Sequence, residues 1–128
     1  GGEPCMYNLK PLTTALKKEG LKIHLETSGA HPILGDFDWI TVSPKKFKAC
    51  LPDSYLKADE LKVVVVNKHD LKWAREQAVN VKDDTLLYLQ PEWDRKEQVH
   101  GIIKEFLGSG EGRVWSLSTQ THKYLGIP

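Results

Sequence analysis

Cysteine is scarce in this chain. The 128 residues contain two, Cys5 and Cys50, which lie 45 positions apart. Two distant cysteines are neither the framework of a disulfide-rich domain nor the clustered spacing that a zinc or iron–sulfur site requires. We therefore predict that each is a small buried hydrophobic residue, and that this chain alone binds no metal and builds no cluster.

Charge of one sign and long apolar runs are also missing. Eighteen basic residues oppose seventeen acidic ones, for a formal net charge of +1, so no strong field attracts nucleic acid or a membrane surface. No apolar run approaches the roughly 20 residues that cross a bilayer, and nothing resembles a signal peptide. These absences predict a cytoplasmic protein with neither nucleic acid nor membrane as partner.

Repeats, low-complexity segments and linkers are absent as well, which predicts a single domain over residues 1–128. Stretches typical of strands and of helices alternate, and this favours an α/β fold with a mainly parallel sheet. The predicted strands cover residues 21–26, 39–42, 61–66, 85–89 and 114–117. The segment LKVVVV gives the clearest of them, because its unbroken β-branched run suits a strand covered on both faces.

Three helices are predicted, one before the first strand and two between later strands. The first covers residues 9–19, with Leu9, Leu12 and Leu16 on one face and Gly20 as its stop. The second begins at a cap supplied by His69 or Asp70 and ends near residue 79. The third begins at an Asp94 cap and carries one apolar stripe, which consists of Val99, Ile102, Ile103, Phe106 and Leu107.

Five strands with fewer helices, and wide connections at 28–36 and 44–59, predict a partial barrel. Polar segments follow the strands at 26–29, 43–45, 90–91 and 116–122. Because functional groups gather at the carboxyl ends of parallel strands, we expect these segments to form a site.

Six motifs occur in a fixed order. They are Gly1–Pro4 (GGEP), Leu25–Gly29 (LETSG), Asp38–Lys45 (DWITVSPK), Asp59–Lys62 (DELK), Tyr88–Pro91 (YLQP) and Thr121–Ile127 (THKYLGI). Together they resemble the 7-carboxy-7-deazaguanine synthases, which are radical S-adenosylmethionine enzymes of deazapurine (queuosine-type) biosynthesis. DWITVSPK and THKYLGI are the more specific motifs, because relatives of other activities share GGEP. The resemblance spans the whole chain.

The resemblance implies a modified (βα) barrel that binds S-adenosylmethionine, a [4Fe–4S] cluster and Mg²⁺. It implies conversion of 6-carboxy-5,6,7,8-tetrahydropterin to 7-carboxy-7-deazaguanine with loss of ammonia, in a homodimer that receives electrons from a reductant such as flavodoxin. The family's three cluster cysteines precede GGEP, so we interpret the chain as a C-terminal portion. We expect it to be inactive alone, with neither cluster nor Mg²⁺.

Site residues follow from the same resemblance. The residues that it implies for S-adenosylmethionine are Gly2, Glu3, Ser43, Lys45 and Gln90. The residues that it implies for the pterin are Thr27, Gly29, His122 and the terminal Pro128. No catalytic and no metal-binding residue is predicted in this chain.

Five of these assignments have an ordinary structural alternative. Glu3 could belong to a flexible first turn, Thr27 could cap a turn, and Lys45 could lie in a solvated basic face. Gln90 could satisfy backbone groups at a strand end, and a lone histidine such as His122 is usually at the surface.

Two other functions compete. An activating enzyme for a glycyl-radical protein shares GGEP but not the other motifs. A non-catalytic nucleotide-binding or interaction module explains the missing cysteines, yet leaves the ordered motifs as coincidence. For the chain itself we predict a dimer, because an unpaired sheet edge and an uncovered apolar face favour association.

Overall fold

The β-branched and leucine-rich segments of the sequence form five strands. In the computed structural model they are β1 (His24–Thr27), β2 (Trp39–Val42), β3 (Glu60–Val65), β4 (Leu86–Pro91) and β5 (Ser116–Leu117). The structure describes residues 2–110, 112–119 and 121–126. The strand order is β1-β2-β3-β4-β5, and each pair with a described register is parallel. The predicted α/β class with a parallel sheet is confirmed.

Within the described residues, five helices accompany the strands. They are α1 (Lys10–Lys18), α2 (Pro52–Lys57), α3 (Lys68–Ala78), α4 (Lys96–Gly108) and α5 (Thr121–Tyr124), with 3₁₀ turns at Pro4–Met6 and Trp93–Arg95. Within the described ranges, no helix combines the length and the apolar character that a membrane crossing needs.

The residues group into two compact units. The first consists of Gly1–Leu61 with Asn80–Thr85, and the second of Lys62–Val79 with Leu86–Pro128. In the first unit, Leu25, Ile40, Val42 and Leu61 are buried side chains from three strands. In the second unit, buried side chains come from β3, α3, β4 and α4, and include Val63, Val65, Ala74, Leu87, Leu89, Val99 and Ile103.

Strand β1 alternates strictly, as the sequence pattern predicts. Leu25 and Thr27 are buried, whereas His24 and Glu26 are exposed. Its start was predicted at Leu21, which is wrong, because Leu21 is 53% exposed and precedes the first strand pairing with β2. The period-2 rule therefore identifies the inward face of β1 but not its first residue.

Two predicted helix starts are also wrong. Asn67 caps α3: its side chain accepts from the backbone N–H groups of His69 and Asp70, and the Asp70 carboxylate accepts from the backbone of Asn67. Helix α4 begins at Lys96 after a 3₁₀ turn, so Asp94 lies inside that turn and is not its cap.

The predicted apolar faces of α1 and α4 are each only partly buried. In α1, Leu12 is 54% exposed and Thr13 is buried in its place. In α4, Val99 and Ile103 are buried, but Leu107 is 37% exposed. Two short helices, α2 and α5, were not predicted, because the wide connection and the polar tail that contain them carry little apolar periodicity.

Candidate functional site

The carboxyl ends of β1 and β2 lie side by side. The parallel register pairs Thr27 with Val42, the last residues of the two strands. Directly beyond them, the backbone N–H of Ser43 donates to the carbonyl oxygen of Thr27 at 2.8 Å. Two of the polar segments that the sequence places after strands, 26–29 and 43–45, therefore meet in the first unit.

Glu3 joins the GGEP turn to the end of β1. Its Oε2 accepts from the backbone N–H of Cys5 at 2.9 Å and from the Thr27 hydroxyl at 2.8 Å. Its Oε1 accepts from the backbone N–H of Ser28 at 2.7 Å and from the Ser28 hydroxyl at 2.8 Å. A carboxylate has about four acceptor positions, so these four bonds fill its capacity.

The same four donors decide the charge of Glu3. Burial alone would raise the pKa of its carboxyl group, because low polarity disfavours the ionised form. The hydrogen bonds from Ser28, Cys5 and Thr27 outweigh burial and lower the pKa below its ordinary value of 4.5. Glu3 is therefore a carboxylate at neutral pH, with its charge balanced by dipoles.

Gly29 fills a position that only glycine suits. Its φ is +76°, in the left-handed region, and a Cβ there would lie 2.5 Å from the Sγ of Cys50 and 3.2 Å from Val42. Gly2 differs, since a Cβ at that position would meet no atom within 4 Å. Packing explains the glycine at position 29, whereas no described neighbour explains the one at position 2.

Ser43 and Lys45 extend the site from β2. Ser43 is 5% exposed, and the ammonium of Lys45 lies 3.5 Å from its Oγ. Lys45 itself is exposed. The Lys45 ammonium lies at the same edge of the first unit as the oxygen-rich end of β1. This edge therefore offers a ligand both hydrogen-bond acceptors and an ammonium donor.

The cysteines do not form a cluster site. Burial raises the pKa of the Cys5 thiol, and it raises the pKa of Cys50 to about 11, so both are protonated at neutral pH. Among the described residues no group of three or more histidine, cysteine or acidic side chains is placed to hold a metal ion. The residues of this chain thus do not fit a [4Fe–4S] cluster, which is held by cysteine thiolates.

Three predicted site residues belong to the second unit. Gln90 lies near the end of β4 and is 7% exposed. The backbone of His122 lies in α5, but its side chain falls outside the described part of the chain, as does Pro128. How these three relate to a ligand stays a prediction.

Sequence reasoning missed an aromatic contact in the second unit. Tyr124 of α5 meets Trp93 edge to face, with ring centroids 4.8 Å apart, and the ammonium of Lys96 lies 4.1 Å from the Trp93 centroid. Through this contact, Tyr124 of the THKYLGI motif packs against the 3₁₀ turn before α4. The two rings are 31 positions apart, and no local pattern pairs them.

Comparisons with known proteins agree with the motifs. No protein-family model matches the chain. A 7-carboxy-7-deazaguanine synthase of Flavobacterium psychrophilum is 45% identical over 128 residues, which is all of this chain and 60% of that protein. The synthase of Synechocystis sp. is 46% identical over 127 residues and is likewise covered to 60%.

A solved structure extends the agreement to the fold. The "Crystal structure of QueE from Escherichia coli" superimposes with a TM-score of 0.78 at 31% identity, over 94% of this chain and 54% of that one. The chain spans about three-fifths of the length of the curated relatives it matches. The resemblance expected from the six motifs is therefore confirmed: along its whole length, the chain is similar to the 7-carboxy-7-deazaguanine synthases.

Proposed function

We propose that the chain is part of a radical S-adenosylmethionine enzyme that converts 6-carboxy-5,6,7,8-tetrahydropterin to 7-carboxy-7-deazaguanine. The proposal is supported by similarity over the whole chain and by one structural observation. Glu3 and the Thr27–Ser28 segment, from two separate motifs, are hydrogen-bonded into a single polar cluster beside Ser43.

In this proposal the chain supplies a binding surface. The GGEP turn, through the backbone of Gly2 and Glu3, and the end of β2, with Ser43 and Lys45, would hold S-adenosylmethionine. The exposed Lys45 ammonium suits a carboxylate, and the open surroundings of Gly2 leave room for a ligand to approach the backbone. When bound and reduced, the cluster and S-adenosylmethionine would supply the radical chemistry; this chain's residues bind, orient and exclude water.

Five further residue assignments belong to the same proposal. Gln90 would contact the cofactor, whereas Thr27, Gly29, His122 and Pro128 would contact the pterin. A cytoplasmic location, Mg²⁺ and a flavodoxin-type reductant rest on the resemblance alone. A homodimer has structural support, because among the described strands β1 pairs only with β2. Sedimentation of the chain Gly1–Pro128 should then show a dimer, and a monodisperse monomer would count against the homodimer.

The decisive experiment uses protein expressed from the complete reading frame and reconstituted with iron and sulfide without oxygen. We expect it to consume the carboxytetrahydropterin and to release 7-carboxy-7-deazaguanine. The chain Gly1–Pro128 alone should be inactive, and calorimetry on both proteins would show whether this portion still binds S-adenosylmethionine. Protein that ignores the pterin but installs a radical on a glycyl-radical partner would overturn the assignment.

A further inference from the structure

The hydroxyl protons of Thr27 and Ser28 have a fixed direction. Each hydroxyl carries one proton, and each donates it to the Glu3 carboxylate, which can only accept. The two oxygens are therefore left with lone pairs alone. A ligand that meets either of them has to bring its own proton.

The two hydroxyl oxygens differ in how much of their capacity to accept hydrogen bonds is still available to a ligand. The Thr27 oxygen also accepts from the backbone N–H of Gly29 at 3.1 Å, and Thr27 is 3% exposed. The Ser28 oxygen accepts a longer bond of 3.4 Å from the N–H of Ala30, and Ser28 is half-buried. The oxygen of Ser28 is thus the more open acceptor at the end of β1.

We propose that Ser28 is a further ligand-binding residue of this site and that Glu3 is its positioning residue. The end of β1 then presents an oxygen acceptor to an N–H or ammonium donor of the ligand. This inference rests on the proposed function for its two sources of such donors, the ammonium of S-adenosylmethionine and the ring N–H groups of the pterin.

Glu3 cannot be replaced by its neutral isostere. Each carboxylate oxygen faces one backbone N–H, that of Cys5 on one side and that of Ser28 on the other. In Glu3→Gln the amide NH₂ group must face one of these two donors whichever way the amide is turned. The variant therefore also releases the hydroxyl proton on that side and unfixes its direction.

The test uses protein expressed from the complete reading frame, with S-adenosylmethionine and the pterin titrated separately by calorimetry. Ser28→Ala should weaken one of the two ligands by roughly threefold to tenfold, the worth of one hydrogen bond, and should lower the melting temperature slightly because the bond to Glu3 is also lost. Ser28→Thr keeps the hydroxyl and should restore affinity. Glu19→Gln, at an exposed glutamate of the same unit, controls for loss of one negative charge.

A double-mutant cycle tests the role of Glu3. If Glu3 acts through the Ser28 oxygen, Glu3→Gln and Ser28→Ala together should weaken binding no more than the larger single effect. Additive losses would overturn the positioning role, and unchanged affinity of both ligands in Ser28→Ala would overturn the contact. Protein that loses S-adenosylmethionine affinity in Ser28→Ala but does not convert the pterin would refute the proposed function alone. Wild-type protein that binds neither ligand would overturn both.

Discussion

Tyr124 of the last described helix, α5, contacts Trp93 edge to face, with the ring centroids 4.8 Å apart. The ammonium of Lys123 also lies over Trp93, 5.9 Å from its centroid, so successive residues of α5 use the same ring. His122 immediately precedes them. The aromatic contact therefore determines where the backbone that carries this predicted substrate residue is held.

We expect Tyr124→Ala to raise the KM for the pterin by about threefold to tenfold in the complete, reconstituted protein. An aromatic pair contributes about 0.5–1.5 kcal/mol beyond its buried area, and its loss frees α5 from Trp93. Tyr124→Phe keeps the ring and should leave KM unchanged. Tyr7→Ala, which removes a 72% exposed tyrosine from the other unit, is the control for aromatic loss. An unchanged KM in Tyr124→Ala would show that the contact between Tyr124 and Trp93 does not affect pterin binding.

The fold could be predicted from the sequence wherever burial alone determines the element. Strand β2 was predicted at both ends because Ile40 and Val42 must face inward and a proline follows at position 44. Helix starts were harder. Asn67 and Asp70 are both good capping residues, and which of them caps α3 depends on a backbone turn that the local sequence does not determine.

The site was predictable in outline for a general reason. Parallel strands end at one edge, so polar residues after β1 and β2 were expected to meet, and Thr27 and Ser43 do. The partners of Glu3 were not predictable, because they lie 24 and 25 positions away and nothing in GGEP specifies them. The resemblance suggested a ligand for Glu3, whereas the geometry shows its carboxylate fully occupied.

Gly29→Ala should destabilise the chain more than Gly20→Ala does. Both glycines have a left-handed φ, +76° and +75°, but a Cβ at Gly20 meets no atom within 4 Å. Gly20→Ala therefore measures the backbone cost, about 1–2 kcal/mol, and Gly29→Ala adds the collision with Cys50. Urea unfolding should show roughly 1–3 kcal/mol of extra loss. Adding Cys50→Ala to Gly29→Ala should recover part of that excess, and equal losses at both glycines would contradict the packing argument.

Gly2→Ala should weaken the binding of S-adenosylmethionine without changing the stability of the protein. A Cβ at this position has open space around it and the backbone is not left-handed, so we expect an unchanged melting temperature. If a ligand approaches the GGEP backbone closely, the added methyl group lies in its path, and the affinity for S-adenosylmethionine should fall by at least tenfold, the scale of a small steric clash. Calorimetry on the complete protein measures this. Unaltered affinity would remove Gly2 from the proposed cofactor site.

Acid should destabilise the fold of the first unit because it protonates the Glu3 carboxylate. Its carboxyl pKa is lowered in the folded chain below the ordinary 4.5, because the hydrogen bonds from Ser28, Cys5 and Thr27 outweigh burial. A lowered folded pKa stabilises the fold above the unfolded pKa, and that contribution is lost as the pH falls through the folded pKa. The free energy of unfolding of the wild type should therefore fall as the pH drops below the ordinary carboxyl pKa of 4.5. The ¹³C shift of the Glu3 carboxyl carbon should titrate with a midpoint below pH 4.5. The free energy of unfolding of Glu3→Gln should depend less on pH in the acid range than that of Glu19→Gln. A Glu3 midpoint above 4.5 would contradict the conclusion that the hydrogen bonds outweigh burial.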